Sequence, residues 1–184
     1  YSIQSFALRG AGEDVIKALK LLLVLAAFCL TSEASAQPIN DDCANAIPAS
    51  FGANQFDTTA ASTDSADLTT YCNFGSFTGN QIENDVWFTF SAPNSGVFIF
   101  DLTTSTGIAD TRIALYAGTS CPNDASTVIA CNDDYSLLSS LLSYVEVDLA
   151  ANQDYLVCIG GYSSSDYGSG TLIISEVIQP VNNL

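Results

Sequence analysis

Histidine and methionine are absent from the 184 residues, and only four basic residues accompany twenty acids. Without histidine a serine or cysteine nucleophile lacks its usual general base, and zinc sites built on imidazole are excluded. Three of the four bases (Arg9, Lys17, Lys20) and three of the acids (Glu13, Asp14, Glu33) lie in the first 36 residues. From Gln37 onward seventeen acids therefore face a single base, Arg112, and that part keeps the whole formal charge of −16. It has no lysine for Schiff-base chemistry or for lysine–asparagine isopeptide crosslinks. With no basic patch to release counterions, nucleic acid is excluded as a partner, and an anionic membrane surface is excluded by the same charge argument. There is no Gly-x-Ser-x-Gly elbow and no phosphate-binding glycine loop. A carboxylate pair of glycosidase type remains conceivable chemically, but no pair of acids is singled out. The reading is of a protein that is not an enzyme.

The N-terminal part has the layout of a secretory signal. Lys17 and Lys20 precede the apolar run Leu21 to Leu30, followed by Thr-Ser-Glu-Ala-Ser-Ala36 and Gln37-Pro38. The apolar run is well short of the ~20 residues a membrane-spanning helix needs. A basic n-region, an apolar h-region and a small-x-small site predict cleavage after Ala36. Residues 1 to 15 begin with Tyr and read as an extension upstream of the true start, for which Val15 is the candidate. Residues 1–36 are thus expected to be leader and signal peptide, and residues 37–184 one secreted domain.

Within that domain, runs rich in aromatic and β-branched residues recur between clusters of Gly, Asn, Asp and Ser. They predict strands near Gln55–Ala60, Asp85–Ser91, Gly96–Thr103, Thr111–Ala117, Thr127–Ala130, Ser143–Leu149, Asp154–Gly160 and Gly170–Val177. Tyr144-Val-Glu-Val-Asp-Leu149 alternates cleanly, with Val145, Val147 and Leu149 inward. Short helical turns are expected only at Asp42–Ile47 and Leu137–Leu142. The fold class is all-β, an antiparallel jelly-roll-like β-sandwich of about eight strands.

Five cysteines remain after cleavage, and a secreted chain favours disulfides. The local pair Cys121–Cys131 would close the Pro122-Asn123-Asp124 loop, and Cys43–Cys72 would tie down the N-terminal segment. Cys158, in Tyr155-Leu-Val-Cys-Ile159, is left over; its apolar position favours a buried thiol over an intermolecular link.

Asn40-Asp41-Asp42-Cys43 returns as its mirror image, Cys131-Asn132-Asp133-Asp134, about ninety residues later. Each copy puts hard oxygen donors beside a cysteine that can pin backbone. Ca²⁺ takes six to eight such oxygens from carboxylates, amides, backbone carbonyls and water. Asp41, Asp42, Asn132, Asp133 and Asp134 are the candidate ligands, with Asp110 before the Thr111–Ala117 strand and Asp85 before Val86-Trp87. A fold that brought the copies together could build one site from both. The spacing is not that of an EF-hand. Trp87 reads as core, whereas Tyr162 and Tyr167, in the Gly160–Gly170 loop, are candidates for stacking on a sugar.

The ordered set Asn40-Asp-Asp-Cys-Ala-Asn-Ala46, Asp85-Val-Trp-Phe-Thr-Phe90, Ser95-Gly96, Asp110-Thr-Arg-Ile-Ala-Leu-Tyr116 and Cys131-Asn-Asp-Asp134 continues with Tyr155-Leu-Val157, Gly160-Gly161 and Gly168–Leu172. It resembles the bacterial pre-peptidase C-terminal (PPC) domain group in its cysteine-containing secreted form, over about Asn40 to Ser175. The resemblance implies a jelly-roll-like sandwich, calcium at the acidic loops, disulfides Cys43–Cys72 and Cys121–Cys131, and a non-catalytic accessory role. This chain departs from the group at Cys158 and in having no enzyme beside the domain. The leading expectation is a structural subunit of an extracellular fibre or surface matrix, self-associating by strand addition through Thr171 to Val181 or the segment released at Gln37. A glycan- or surface-binding module, or a protease-associated domain acting in trans, is the alternative.

Overall fold

The computed structural model describes residues 36–72, 74, 79–138 and 140–178. The expected leader and signal peptide, apart from Ala36, and the last residues of the expected strand-adding tail, 179–181, lie outside the described residues. Nine strands are present among those described: β1 Ile47–Pro48, β2 Gly52–Asp57, β3 Glu83–Ser91, β4 Gly96–Asp101, β5 Thr111–Ala117, β6 Val128–Asn132, β7 Tyr144–Leu149, β8 Asp154–Gly161 and β9 Ser169–Glu176. They form a five-stranded sheet in the order β1-β3-β8-β5-β6 and a four-stranded sheet in the order β2-β9-β4-β7. Every pairing is antiparallel except β1 with β3. The all-β sandwich is therefore the one expected, with β1 added. Two residues ending in proline carry no alternation from which that strand could be read.

The sheets face each other across a core of Val86, Phe88 and Phe90 from β3, Phe98 and Phe100 from β4, and Val157 and Ile159 from β8, among others. Phe90 meets Phe98 and Phe100 edge to face at 5.6 and 5.5 Å, an arrangement aromatic quadrupoles favour. Residues one step out of phase, Trp87, Ala114, Tyr116, Leu156 and Cys158, belong to a second core on the outer face of the five-stranded sheet, with Cys43, Leu68, Cys72 and Ile82. This second core explains why Tyr155–Gly161 is buried at every position: β8 is covered on both faces, as an apolar run without alternation requires. Trp87 and Cys158 are core residues, and Cys158 is a free thiol. At Gly160 an added Cβ would lie 2.3 Å from the Glu83 carbonyl oxygen, so the bulge that carries Asn84 at φ 51° needs a glycine opposite it.

The disulfides differ from the expected pairs. Cys43 bonds Cys121 and Cys72 bonds Cys131, with Cα–Cα distances of 5.7 and 6.2 Å. The pairs Cys43–Cys72 and Cys121–Cys131 are corrected accordingly. Cys121 lies in the β5–β6 connection and Cys131 within β6, and each is bonded to a different covering segment. Each staples its own cover to the outer face, and nearness along the chain does not decide the matter. Two disulfides mark a chain that folds outside the reducing cytoplasm, and no described helix is long and apolar enough to cross a membrane.

Strand β9 is flanked by β2 and β4. β2 pairs with Ser169–Ile174 and β4 with Ile173–Glu176, so the two neighbours overlap only at Ile173 and Ile174.

Candidate cation site

Asp110 precedes β5, and Asp133 and Asp134 follow β6. These strands pair antiparallel with Ile113 opposite Asn132, so the start of one and the end of the other meet at one end of the sheet. One more register step sets Arg112 against Asp133, and their side chains form an ion pair at 3.5 Å (Nε to Oδ2). One carboxylate oxygen from each of Asp110, Asp133 and Asp134 lies within 4.8 Å of the others. The β6–β7 loop is shaped by Asn132, whose Oδ1 accepts from the Tyr144 amide (3.0 Å) and whose Nδ2 donates to the Asp134 carbonyl (3.3 Å). Thr111 and Ser143 exchange side-chain and backbone hydrogen bonds of 2.6 to 3.0 Å beneath it.

Arg112 holds this end together. Its side chain is 1% exposed, and its Nη1 donates to the carbonyls of Gly79 (3.2 Å) and Gln81 (2.7 Å). The guanidinium lies between the Phe74 and Tyr162 rings, 4.7 and 4.4 Å from their centroids. Such stacking suits a weakly hydrated planar cation. Sequence reasoning gave Arg112 no role, although a lone base two residues after Asp110 was the available signal. Beside it a cleft of about 390 Å³ is lined by Tyr71, Phe74, Asn132, Asp133, Asp134 and the Cys72–Cys131 disulfide.

The other expected ligands are engaged elsewhere. Asp41 is buried and accepts from the Ser62 amide (2.6 Å) and hydroxyl (3.0 Å). Asp85 is fully buried and accepts from the Ser65 amide (2.9 Å), the Asp64 amide (3.1 Å) and Trp87 Nε1 (2.7 Å). Asp42 is exposed, 3.4 Å from Asn45 Nδ2. Among the described residues the mirrored motifs do not pool their acids into one group of three; the group that forms is Asp110, Asp133 and Asp134. Tyr162 packs on Arg112, and Tyr167 is half exposed.

The chemistry of the triad suits a hard cation. Asp110 Oδ1 and Asp133 Oδ1 are shielded from solvent and have no hydrogen-bond donor, a costly state for an acceptor. Burial pushes Asp110 up to about 7, with Asp133, Asp166 and Asp134 adding and Arg112 opposing. Burial also raises Asp133 to about 6, against the pull of Arg112 and with the help of Asp134. An oxygen-only donor set with excess negative charge fits Ca²⁺, which would be held by the three carboxylates with backbone or water oxygens completing the shell.

Both groups titrate in the fold above the ordinary carboxylate value of 3.8. Between that value and about 7 the folded state keeps protons that the unfolded chain has released. Without divalent cation, the contribution of these two groups to stability is therefore full at about pH 4 and below, and is lost as pH rises to about 7. Melting curves in EDTA across pH 4 to 8 should show this decline, and a melting temperature that rises with pH in EDTA would contradict it.

No family model matches the chain, and no curated protein matches it. Among solved structures it is similar to PliG of Aeromonas hydrophila, a periplasmic inhibitor of g-type lysozyme. The identity is 14% and the TM-score 0.41, over 76% of this chain and all of that one. It is also similar to the CBM35 of Cellvibrio japonicus Abf62, at 17% identity and a TM-score of 0.29, over 66% of this chain and 93% of that one. Both likenesses are distant, and neither bears on what this chain binds.

Proposed function

We propose that this protein is a secreted, calcium-stabilised, non-catalytic β-sandwich of PPC-like kind. In this reading it serves as a structural subunit of an extracellular fibre or surface matrix. The supporting observation is the β6–β7 loop, where Leu137, Leu138 and Leu141 are 81%, 64% and 52% exposed. The loop is nevertheless held in place: the Leu138 amide donates to the Tyr135 carbonyl (3.1 Å), and the Tyr135 ring stacks on Tyr144 at 4.4 Å. Exposed leucines on a segment tied back by these contacts are what a contact surface between subunits would present. Neighbouring subunits would then meet through this loop beside the cation triad, with strand addition through Thr171 to Val181 or the segment released at Gln37 as the other route.

Native protein with calcium should form oligomers or filaments visible by negative-stain microscopy. Leu137→Ser combined with Leu138→Ser should leave monomers whose circular dichroism and calcium-dependent melting are unchanged. Wild-type protein that stays monodisperse and monomeric at high concentration with calcium would remove this reading.

A second reading, a glycan- or surface-binding module, is favoured by the cleft. Tyr71 is 53% exposed, and its hydroxyl donates to the Ile129 carbonyl (3.0 Å), which fixes the ring at the edge of the carboxylates. Here the sugar-stacking role passes from Tyr162, which serves Arg112, to Tyr71. A glycan array on wild type and Tyr71→Ala tests it.

A further inference from the structure

Among the described strands, β1, β6, β2 and β7 lie at sheet edges, and three of them are guarded against pairing with another chain. β1 is two residues long and ends in Pro48, which has no N–H to offer. β6 is bulged against β5, and its Ile129 carbonyl already accepts from the Tyr71 hydroxyl (3.0 Å). β7 carries the exposed acids Glu146 and Asp148, and Asn132 Oδ1 takes its Tyr144 amide (3.0 Å). Short strands, bulges and charge are how sheets blunt their edges. β2 has none of these. Gly52–Asp57 pairs with β9 at every position without a register shift, and its one charged residue is the last.

The main-chain groups of β2 divide by parity. The Thr58 amide donates to the Gly168 carbonyl (2.9 Å), one step beyond the Asp57–Ser169 pair. An antiparallel ladder bonds alternate residues, so Gly52, Asn54 and Phe56 face β9, while the N–H and C=O of Ala53, Gln55 and Asp57 point away from it. The far side of β9 agrees. There the Val177 amide donates to the Val97 carbonyl (2.8 Å), which turns the odd-numbered residues of β9 toward β4 and the even-numbered ones toward β2. Among the described residues no hydrogen bond reaches the main chain of Ala53, Gln55 or Asp57.

We propose that the open edge of β2 accepts an added strand, and that its occupant is the segment from Ile178 onward of a second copy, an assignment that rests on the strand-addition route of the structural-subunit reading. Ile178, just past the end of β9, is 88% exposed, so a neighbour can reach the chain there. Ile178-Gln-Pro-Val-Asn-Asn-Leu184 carries no charge, and it approaches a chain of formal charge −16 without adding repulsion. Its main chain bonds the outward groups of Ala53, Gln55 and Asp57, and alternate side chains fall beside Phe56, where Ile178 or Val181 supplies an apolar one. β2 and β7 are the outer strands of one sheet, three spacings or about 14 Å apart. The contact is therefore separate from the leucine loop that precedes β7.

Hydrogen exchange at single amides tests the edge. In dilute, monomeric protein the amides of Ala53, Gln55 and Asp57 should exchange at least ten-fold faster than those of Asn54 and Phe56. In assemblies, and in dilute protein given a synthetic peptide of residues 177–184, the three should slow at least ten-fold. Gln55→Pro removes an outward N–H and no main-chain bond to β9, and should abolish both effects; Ala53→Lys with Gln55→Lys takes its place should that variant fail to fold. Leu137→Ser with Leu138→Ser should leave the effect of the peptide intact. Three amides that stay fast in the assemblies or with the peptide would overturn the proposal. So would amides already slow in dilute protein, or a peptide that protects the Gln55→Pro variant equally well. Wild-type protein that never assembles removes the structural-subunit reading by itself, and the peptide still decides whether the edge accepts a strand.

Discussion

Calcium in hundred-fold excess over its dissociation constant should raise the melting temperature at pH 7.5 by roughly 8 °C, and EDTA should reverse the rise. That excess contributes about 2.7 kcal/mol when the ion binds only the folded state, and each kcal/mol moves a domain of this size by about 2–4 °C. The physical source is specific. Asp110, Asp133 and Asp134 crowd three carboxylates at one end of the five-stranded sheet, and two of the sheltered oxygens have no donor. Arg112, the single base beyond residue 36, offsets only Asp133 directly. Asp110→Asn combined with Asp134→Asn should abolish the calcium shift while keeping the Arg112–Asp133 pair, and so avoid stranding a buried guanidinium. Because protons and calcium compete for the same oxygens, the shift should shrink as pH falls below about 6. A wild-type melting temperature insensitive to EDTA would sink the calcium reading.

Removal of either disulfide should be at least as damaging. Cys43–Cys121 and Cys72–Cys131 close loops with sequence separations of 78 and 59, for which the chain-entropy estimate is about 4 kcal/mol each. Cys43→Ser with Cys121→Ser, or Cys72→Ser with Cys131→Ser, should lower the melting temperature by roughly 10 °C. Either loss uncovers part of the second core, so binding of a hydrophobic dye should rise with it. Proteolytic mapping of unreduced protein checks the premise: peptides joined as Cys43–Cys121 and Cys72–Cys131 are expected, and a Cys43–Cys72 peptide would contradict it.

The elements most legible in the sequence are the strands whose neighbours along the chain reveal them. Thr111–Ala117 has the predicted bounds, and β7 alternates as read, with Val145 and Leu149 buried and Glu146 and Asp148 exposed. Trp87 and Cys158 read correctly as core because each sits in an apolar strand. The candidate site was only half legible. Asp85 and Asp110 look alike in sequence, each an acid at the entry to an apolar strand. In the fold Asp85 meets two backbone amides and an indole N–H, whereas Asp110 Oδ1 meets no donor. The donors to Asp85 include residues about twenty positions away, and nothing local to either acid announces them. Arg112 shows the same limit. Its stacking on Phe74 and Tyr162 joins segments separated by more than eighty residues.

By itself, the sequence determined the all-β class, the placement of eight strands, and the exclusion of histidine-based chemistry throughout and of lysine-based chemistry beyond residue 36. These follow from composition and from apolar runs bounded by turn residues, with alternation clear in β7, all properties of short windows. Only the tertiary structure decided which cysteines pair, which acids remain without donors, and that the lone arginine is buried among aromatics. Disulfide pairing and ligation depend on which distant segments come within a few ångströms, and that is set by how the covering loops pack on the outer face of the five-stranded sheet.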